Sequence, residues 1–254
     1  MIDLHCHLLH GVDDGSRTLE QSVQVLTAMQ ESGVTAVCLT PHWSVGKIPR
    51  GLPASHDAAF AALKGEAPPG ISLHRGVELM MDRPVRPELV DHPELRLGGT
   101  RYILVEFTRM VAPTAIATAL EHVTQLGLVP VLAHPERYTG CRPSAVRLWK
   151  AAGALMQVDA VTLLGSRTRA QRARELLGQG LADIIAADNH GDDRLMKAAC
   201  DYLIEAGGQE QADLLAYKNP AAILADGEIE PVPPLELKTP LFDRLKHLLG
   251  GDDE

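Results

Sequence analysis

The chain has 254 residues, of which 45% are hydrophobic and 22% are charged, a composition ordinary for a globular protein. A formal net charge of −9 argues against a nucleic-acid backbone as the main partner, because no basic surplus exists to release counterions. Four cysteines without paired spacing, no apolar run of membrane-spanning length and no signal peptide before the first strand predict a cytoplasmic protein with reduced thiols.

Apolar, β-rich runs recur along the chain, and most are followed by a helical pattern. Seven runs are predicted as strands, at residues 2–5, 35–39, 71–78, 102–107, 128–133, 154–159 and 183–187. Nearly continuous apolar runs are typical of parallel strands that helices cover on both faces. Alternation of strands and helices over one undivided span predicts a single-domain α/β fold, a closed βα-barrel.

The helices between these runs have recognisable start and stop signals. Thr18 predicts the beginning of the first helix, and Gly33 predicts its end. Three later helices are predicted to end at Gly127, Gly153 and Gly180. The irregular stretch 46–70 is predicted to be a short lid or a helical insertion.

Ligand-type side chains follow six of the seven predicted strands. They are His5, His7, His42, Glu78, Glu106, His134, Asp188 and His190. The carboxyl ends of the strands of a βα-barrel form one face, and that face carries the active site. Each residue alone has an ordinary explanation, such as a surface acid or a turn histidine, but chance gives no reason for so many to share one rim. Mixed imidazole and carboxylate ligands predict a multinuclear Mn, Fe or Zn site rather than a Cys-rich structural zinc.

Several motifs of this chain occur in the order found in the PHP (polymerase and histidinol phosphatase) superfamily. They are Asp3-Leu4-His5-Cys6-His7, Gly11-Val12-Asp13-Asp14-Gly15, Thr40-Pro41-His42, Gly76-Val77-Glu78, Val105-Glu106-Phe107, Ala133-His134-Pro135-Glu136-Arg137-Tyr138 and Ala187-Asp188-Asn189-His190. The chain most closely resembles the bacterial manganese-dependent tyrosine phosphatases of capsule and exopolysaccharide loci, over residues 1 to about 228. This resemblance implies a distorted seven-stranded βα-barrel in residues 1–228.

The resemblance also implies three ions, of Mn or alternatively of Fe, Zn or Co. The first ion would be held by His5, His7, Glu78 and Asp188. Glu78 would bridge to a second ion, which Glu106 and His134 also hold, and the third would be held by Asp14, His42 and His190. Arg137 and Arg194 match the substrate arginines of the family, and a guanidinium fork can grip two phosphate oxygens. Arg137 has an alternative role, as the structural partner of a barrel carboxylate.

The activity implied is hydrolysis of phosphotyrosine by a metal-activated water, on a bacterial tyrosine autokinase with a tyrosine-rich tail. Clustered cations are required there because a phosphate dianion repels nucleophiles. Two alternatives stay open: a PHP phosphoesterase for a small histidinol-phosphate-type monoester or nucleic-acid ends, and a regulatory barrel without catalysis. His10, Asp192 and Asp193 are weak candidates for a general acid. The sequence leaves the native metal, the physiological kinase and the oligomeric state open.

Residues 229–254 extend beyond the shared core as a Pro-containing tail. After Pro240, a short amphipathic helix is predicted whose face carries Leu241, Leu245, Leu248 and Leu249. This face either packs on the barrel or a neighbouring subunit, or it is an interaction helix for a membrane kinase or the membrane surface.

Cys141 and Arg147 have the Cys-x5-Arg spacing of cysteine-dependent tyrosine phosphatases. Such a loop needs backbone N–H groups that converge on a phosphate. Pro143 removes one donor, and no glycine between the two residues lets the backbone wrap tightly. The spacing is therefore interpreted as a coincidence.

Overall fold

The structure, a computed structural model, describes residues 1–238, and all its paired strands are parallel. The strands are β1 (Ile2–Cys6), β2 (Ala36–Leu39), β3 (His42–Ser44), β4 (Ser72–Arg75), β5 (Glu78–Met80), β6 (Tyr102–Glu106), β7 (Val129–Ala133), β8 (Leu155–Asp159) and β9 (Ile184–Ala186). They form a three-stranded sheet in the order β1-β2-β4 and a six-stranded sheet in the order β3-β5-β6-β7-β8-β9. The predicted α/β class with parallel strands is confirmed.

The structure has two strands that were not predicted as separate elements. β3 follows the predicted run 35–39 after Pro41, which has no N–H to donate, and the predicted run 71–78 is divided into β4 and the start of β5. Gly76 lies at the break between β4 and β5, where an added Cβ would come within 3.3 Å of the Arg96 carbonyl oxygen and Cys38 Sγ. At both breaks the chain passes from the first sheet to the second. Residues 1–238 therefore contain nine strands in two sheets, and not the predicted single ring of seven.

The first strand lies next to the segment that follows the last strand. The Asp188 N–H donates to the His5 carbonyl oxygen at 3.0 Å, and the His7 N–H donates to the Asn189 carbonyl oxygen at 2.7 Å. Cys6 and Asn189 form an isolated parallel bridge. The carboxyl end of β1 is thereby fixed beside the carboxyl end of β9.

Helices follow most of the strands and cover the sheets. They are α1 (Leu19–Glu31), α2 (Ala54–Glu66), α3 (Pro113–Gln125), α4 (Pro143–Ala151), α5 (Thr168–Gly178), α6 (Lys197–Glu205), α7 (Gln209–Asp213) and α8 (Asn219–Leu224). The N-cap of α1 is Thr18, as predicted, and its hydroxyl accepts a hydrogen bond from the Gln21 N–H at 3.2 Å. The stretch predicted as a lid or insertion contains α2. Within residues 1–238, every helix is too short or too polar to span a bilayer.

Residues 229–238 pack against the helices. Val232 is buried, and the Leu235 N–H donates to the Leu177 carbonyl oxygen of α5 at 3.0 Å. The Glu230 N–H donates to Asn219 Oδ1 at 2.9 Å. The predicted leucine face at 241–249 lies outside the described residues, so both interpretations of it stay predictions.

A chain that ends at Gly227 is expected to unfold at a lower temperature than a chain that ends at Lys238. The shorter chain loses the burial of Val232 and Leu235, which contributes about 2–3 kcal/mol, or roughly 5–10 °C in Tm for a chain of this size. Thermal unfolding followed by circular dichroism would measure the difference, with the full-length chain as control. Equal melting temperatures for the two truncated chains would show that residues 228–238 do not stabilise the fold.

Candidate metal centre

The nine predicted ligands lie together on one side of the sheets. β1 and the residue after it supply His5 and His7, and the residues after β9 supply Asp188 and His190. Between them, the first residues of β3 and β5 and the last residue of β6 supply His42, Glu78 and Glu106. His134 follows β7, and Asp14 comes from the loop after β1. His5, His7, Glu78 and Asp188 are buried almost completely, whereas Asp14 is exposed. Alignment of parallel strands therefore brings residues from the whole chain to one site.

Four of these residues form the innermost group. The candidate ligand atoms of His5, His7, Glu78 and Asp188 all lie within 4.8 Å of one another. His5 Nε2 is 3.2 Å from both Glu78 Oε2 and Asp188 Oδ1. His7 Nε2 is 3.3 Å from the same Glu78 oxygen and 3.4 Å from the same Asp188 oxygen. This is the set predicted for the first ion.

The hydrogen bonds behind the two histidines determine their tautomers. His5 Nδ1 lies 2.9 Å from Gln157 Oε1, and His7 Nδ1 lies 2.8 Å from Asp13 Oδ2. Both partner oxygens are acceptors, so each Nδ1 carries a proton, and each Nε2 is directed at Glu78 and Asp188. The two Nε2 atoms are only 3.1 Å apart. Two ring nitrogens this close to each other and to two carboxylate oxygens can bind one cation together.

Two carboxylate oxygens in the same group are also left without hydrogen bonds. Glu78 Oε2 and Asp188 Oδ1 are buried and have no hydrogen-bond partner among the described residues. A buried, unpaired carboxylate oxygen is costly unless a metal or another cation satisfies it. Together with the facing imidazoles, these oxygens fit a metal ion in chemistry and in placement.

The outer residues form two further groups that share His42. In the first, His42 Nδ1 lies 3.0 Å from Glu78 Oε2 and 3.2 Å from Glu106 Oε1. In the second, Asp14 Oδ1 lies 3.4 Å from His42 Nε2 and 3.6 Å from His190 Nε2. His42 therefore belongs to both groups, although it was predicted only for the third ion.

His134 contacts Glu78 on the side away from His5 and His7. Its Nε2 lies 2.9 Å from Glu78 Oε1. The two oxygens of Glu78 consequently face different histidines, as a bridging carboxylate requires. The backbones of His134 and Asp188 have φ of 35° and 49°, a left-handed conformation that costs energy for residues other than glycine. Such strain is concentrated at functional sites.

The electrostatics of the cluster favour ionised carboxylates. Burial opposes charge on Glu78, but His5, His134 and His42 hold the pKa of this carboxyl well below its usual range. Burial also opposes charge on His42, yet its contacts with Glu106 and Glu78 raise its pKa to about 10. Both shifts show that the carboxylates attract positive charge strongly, and bound cations would supply that charge.

Two residues that orient the histidines were missed as site residues from the sequence. Gln157 is completely buried in β8. A polar residue within an otherwise apolar predicted strand was the sequence signal that could have identified it. Asp13 accepts hydrogen bonds from His7 and from the N–H groups of Gly15 and His42. Burial alone would raise the pKa of Asp13, but its bond with His7 lowers it to about 2.

Gly15 explains the last position of the Gly-x-Asp-Asp-Gly motif. An added Cβ would lie 1.9 Å from the His7 carbonyl oxygen, so only glycine lets this loop close on β1. The Ser16 N–H donates to that same carbonyl oxygen at 2.9 Å. The close approach places Asp13 behind His7 and Asp14 beside His42.

Both predicted phosphate arginines lie beside Asp188. Arg137 Nη2 forms ion pairs with Asp188 and, at 2.5 Å, with Asp159 Oδ2. Arg194 Nη1 is 4.0 Å from Asp188 Oδ2, and its Nη2 is 2.6 Å from Asp192 Oδ2. The alternative role of Arg137, as partner of a carboxylate, is therefore present in the structure. Asp192, a weak general-acid candidate, is ion-paired with Arg194.

The Cys-x5-Arg segment lacks the features of a nucleophilic loop. Cys141 is buried, and burial raises the pKa of its thiol to about 12, so the reactive thiolate is suppressed. Arg147 donates to Gln179 Oε1 at 2.6 Å, on the exposed surface of α4. These contacts agree with the interpretation of the spacing as a coincidence.

A cavity of about 390 Å³ adjoins the outer ligands. Its lining consists of His42, Trp43, Ser44, Lys47, Met80 and Glu106. Lys47 Nζ lies 5.0 Å from the centre of the Trp43 ring. The cavity therefore offers an apolar surface and one cation directly beside the metal centre.

The chain is similar to known proteins. The chain is 27% identical over 240 residues to the tyrosine-protein phosphatase CpsB of Streptococcus pneumoniae, covering 89% of this chain and 99% of that protein. It is 30% identical over 196 residues to the tyrosine-protein phosphatase YwqE of Bacillus subtilis, covering 75% and 77%.

Solved structures are also similar. A structure from work on YwqE of Bacillus subtilis and CpsB of Streptococcus pneumoniae, described as unique metal-dependent tyrosine phosphatases, matches with a TM-score of 0.79 and 27% identity, over 94% of this chain and 100% of that chain. An organophosphorus hydrolase from Deinococcus radiodurans shares the fold, with a TM-score of 0.54 at 15% identity and coverage of 88% and 92%. The family model for capsular polysaccharide synthesis, CpsB/CapC, matches residues 1–225. The chain belongs to the CpsB/CapC family.

Proposed function

We propose that this protein is a metal-dependent protein-tyrosine phosphatase that acts in capsule or exopolysaccharide biosynthesis. The observation that carries the proposal is the buried group of His5, His7, Glu78 and Asp188, whose candidate ligand atoms all lie within 4.8 Å of one another. Such a site requires cations, and clustered cations suit phosphate monoester hydrolysis. The names of the relatives CpsB and YwqE support tyrosine phosphatase as the activity.

The proposed centre holds three ions, of Mn or alternatively of Fe, Zn or Co. The proposed ligands are His5, His7, Asp14, His42, Glu78, Glu106, His134, Asp188 and His190. Their side chains offer only nitrogen and oxygen ligands, which suit these metals better than a Cys-rich zinc site would. When bound, the ions neutralise the phosphate dianion and lower the pKa of the attacking water.

The residues of the chain position the substrate. Arg137 and Arg194 are proposed to bind the phosphate oxygens and to stabilise the charge that develops on them. Asp159 and Asp192 orient these two guanidinium groups through the ion pairs described above. The cavity beside His42 has room for the phenol ring of phosphotyrosine. A phenolate is a comparatively good leaving group, so no general acid is assigned.

The proposed substrate is the phosphorylated tail of a bacterial tyrosine autokinase. We place the reaction in the cytoplasm, because all four cysteines are buried and unpaired, which is typical of a reducing compartment. Residues 1–228 are proposed as the catalytic unit. The contact of β1 with the segment after β9 supports a distorted barrel as the architecture of this unit.

A chelator is expected to abolish hydrolysis of a phosphotyrosine peptide, and added Mn is expected to restore it. Cys141→Ser should retain essentially full activity, because its thiol is neutral and buried. Initial rates would be measured on the peptide, on histidinol phosphate and on a 5′-phosphorylated DNA end.

The outcomes separate the candidate activities. Preference for histidinol phosphate or DNA would assign the protein to another branch of the phosphoesterases, and inactivity on all three would favour a regulatory barrel. Loss of activity in Cys141→Ser together with indifference to chelation would overturn the metal mechanism.

A further inference from the structure

Four arginines lie on the same rim as the metal centre, and we call Arg109, Arg137, Arg169 and Arg172 the rim arginine cluster. Arg109 follows β6, Arg137 follows β7, and Arg169 and Arg172 lie in the first half of α5, which follows β8. β6, β7 and β8 are consecutive neighbours in a parallel sheet. Their carboxyl ends therefore place the four residues along one edge.

Hydrogen bonds hold the three segments together. The N–H and the hydroxyl of Thr139 both donate to the Arg109 carbonyl oxygen at 2.9 Å. Arg172 Nη1 donates to the carbonyl oxygens of Tyr138 at 3.0 Å and Glu136 at 3.4 Å. The loop after β6, the loop after β7 and α5 thus form one continuous surface.

This surface concentrates positive charge on an acidic chain. Arg109 and Arg169 are exposed, and no salt bridge joins either to a carboxylate within residues 1–238. Burial, followed by the charges of Arg109 and Arg137, lowers the pKa of Arg169, which shows that these like charges interact. Repulsion of this kind destabilises the fold, and an anionic ligand would offset it.

We propose that Arg109 and Arg169 bind aspartate or glutamate side chains that flank the phosphotyrosine of a peptide substrate. The proposal rests on the phosphatase function above and adds a sequence preference to it. Arg137 connects the two sites, since it belongs to the cluster and also contacts Asp188 of the metal centre. A peptide whose phosphate lies at the centre would extend its neighbouring residues over the rim. Carboxylates match the planar fork of arginine.

The test compares two phosphotyrosine peptides that differ only in flanking residues, Asp and Glu in one and Asn and Gln in the other. A non-hydrolysable phosphonate replaces each phosphate, and fluorescence anisotropy measures Kd for the Mn-loaded, full-length protein. Because exposed ion pairs are weak, we expect the acidic peptide to bind roughly threefold to tenfold more tightly at low salt. This ratio should approach one in the double variant Arg109→Gln, Arg169→Gln and in high salt.

Arg147→Gln is the matched control, since Arg147 is exposed on α4 and bonds to Gln179 at the far end of α5. It should keep the preference for the acidic peptide. Equal affinity of the wild type for both peptides, or an unchanged ratio in the double variant, would overturn the proposal. The proposed function fails separately, if the wild type does not hydrolyse the phosphate form of either peptide.

Discussion

Glu78→Gln is expected to remove most of the bound metal and nearly all phosphatase activity. The two oxygens of Glu78 face different histidines, His134 on one side and His5 and His7 on the other. An amide carries no negative charge, so it cannot bridge two cations as the carboxylate does. Changing a residue that only hydrogen-bonds to a metal ligand typically lowers metal affinity or activity by roughly 10–100-fold. Because Glu78 is itself a proposed ligand, we expect kcat to fall by more than this.

Metal content per chain, measured by inductively coupled plasma mass spectrometry, provides the direct measurement for this variant. Glu121→Gln, on the exposed surface of α3, is the matched control and should retain both metal and activity. Circular dichroism would establish that the Glu78 variant is folded. A full metal complement in folded Glu78→Gln would remove Glu78 from the bridging role.

Arg137→Ala is expected to lower kcat/KM by about two to three orders of magnitude while the metal content is retained. The substitution removes a phosphate contact and no metal ligand. It also removes the ion pairs with Asp159 and Asp188, so Arg137→Lys is needed as a second variant. Lysine keeps the charge beside Asp188 but lacks the planar fork.

The two Arg137 variants separate the two roles of this residue. If Arg137 grips phosphate through two oxygens, the lysine variant should recover metal affinity fully and turnover only in part. Full recovery of kcat/KM by lysine would instead indicate that Arg137 acts only as a charge partner of the carboxylates. Steady-state kinetics on an aryl phosphate, with metal analysis of the same samples, distinguishes the outcomes.

Eight of the candidate ligands could be named from the ends of the predicted strands, whereas Asp14 and the grouping of the ligands came from the family resemblance. His5 and His7 share a face because side chains alternate along a strand, and the structure places their Nε2 atoms 3.1 Å apart. The parallel order of the remaining strands then brings the other candidates to the same edge.

The features of the fold and of the site that were not predicted depend on contacts between residues far apart in the sequence. At Pro41 and at Gly76 the chain passes from one sheet to the other, and the hydrophobic pattern does not reveal which sheet a strand joins. His42 is the first residue of β3, which begins directly after Pro41, and this position lets it contact two ligand groups. The role of Gln157 depends on a residue 152 positions earlier in the chain.

The meeting of β1 with the segment after β9 has a consequence for how the enzyme matures. The Ala187 N–H donates to Asp3 across a separation of 184 residues. Closing a loop of that length costs about 5 kcal/mol in chain entropy. During synthesis on the ribosome, the amino-terminal histidines emerge long before Asp188 and His190 exist. The full set of proposed ligands can therefore come together only after nearly the whole chain has been translated.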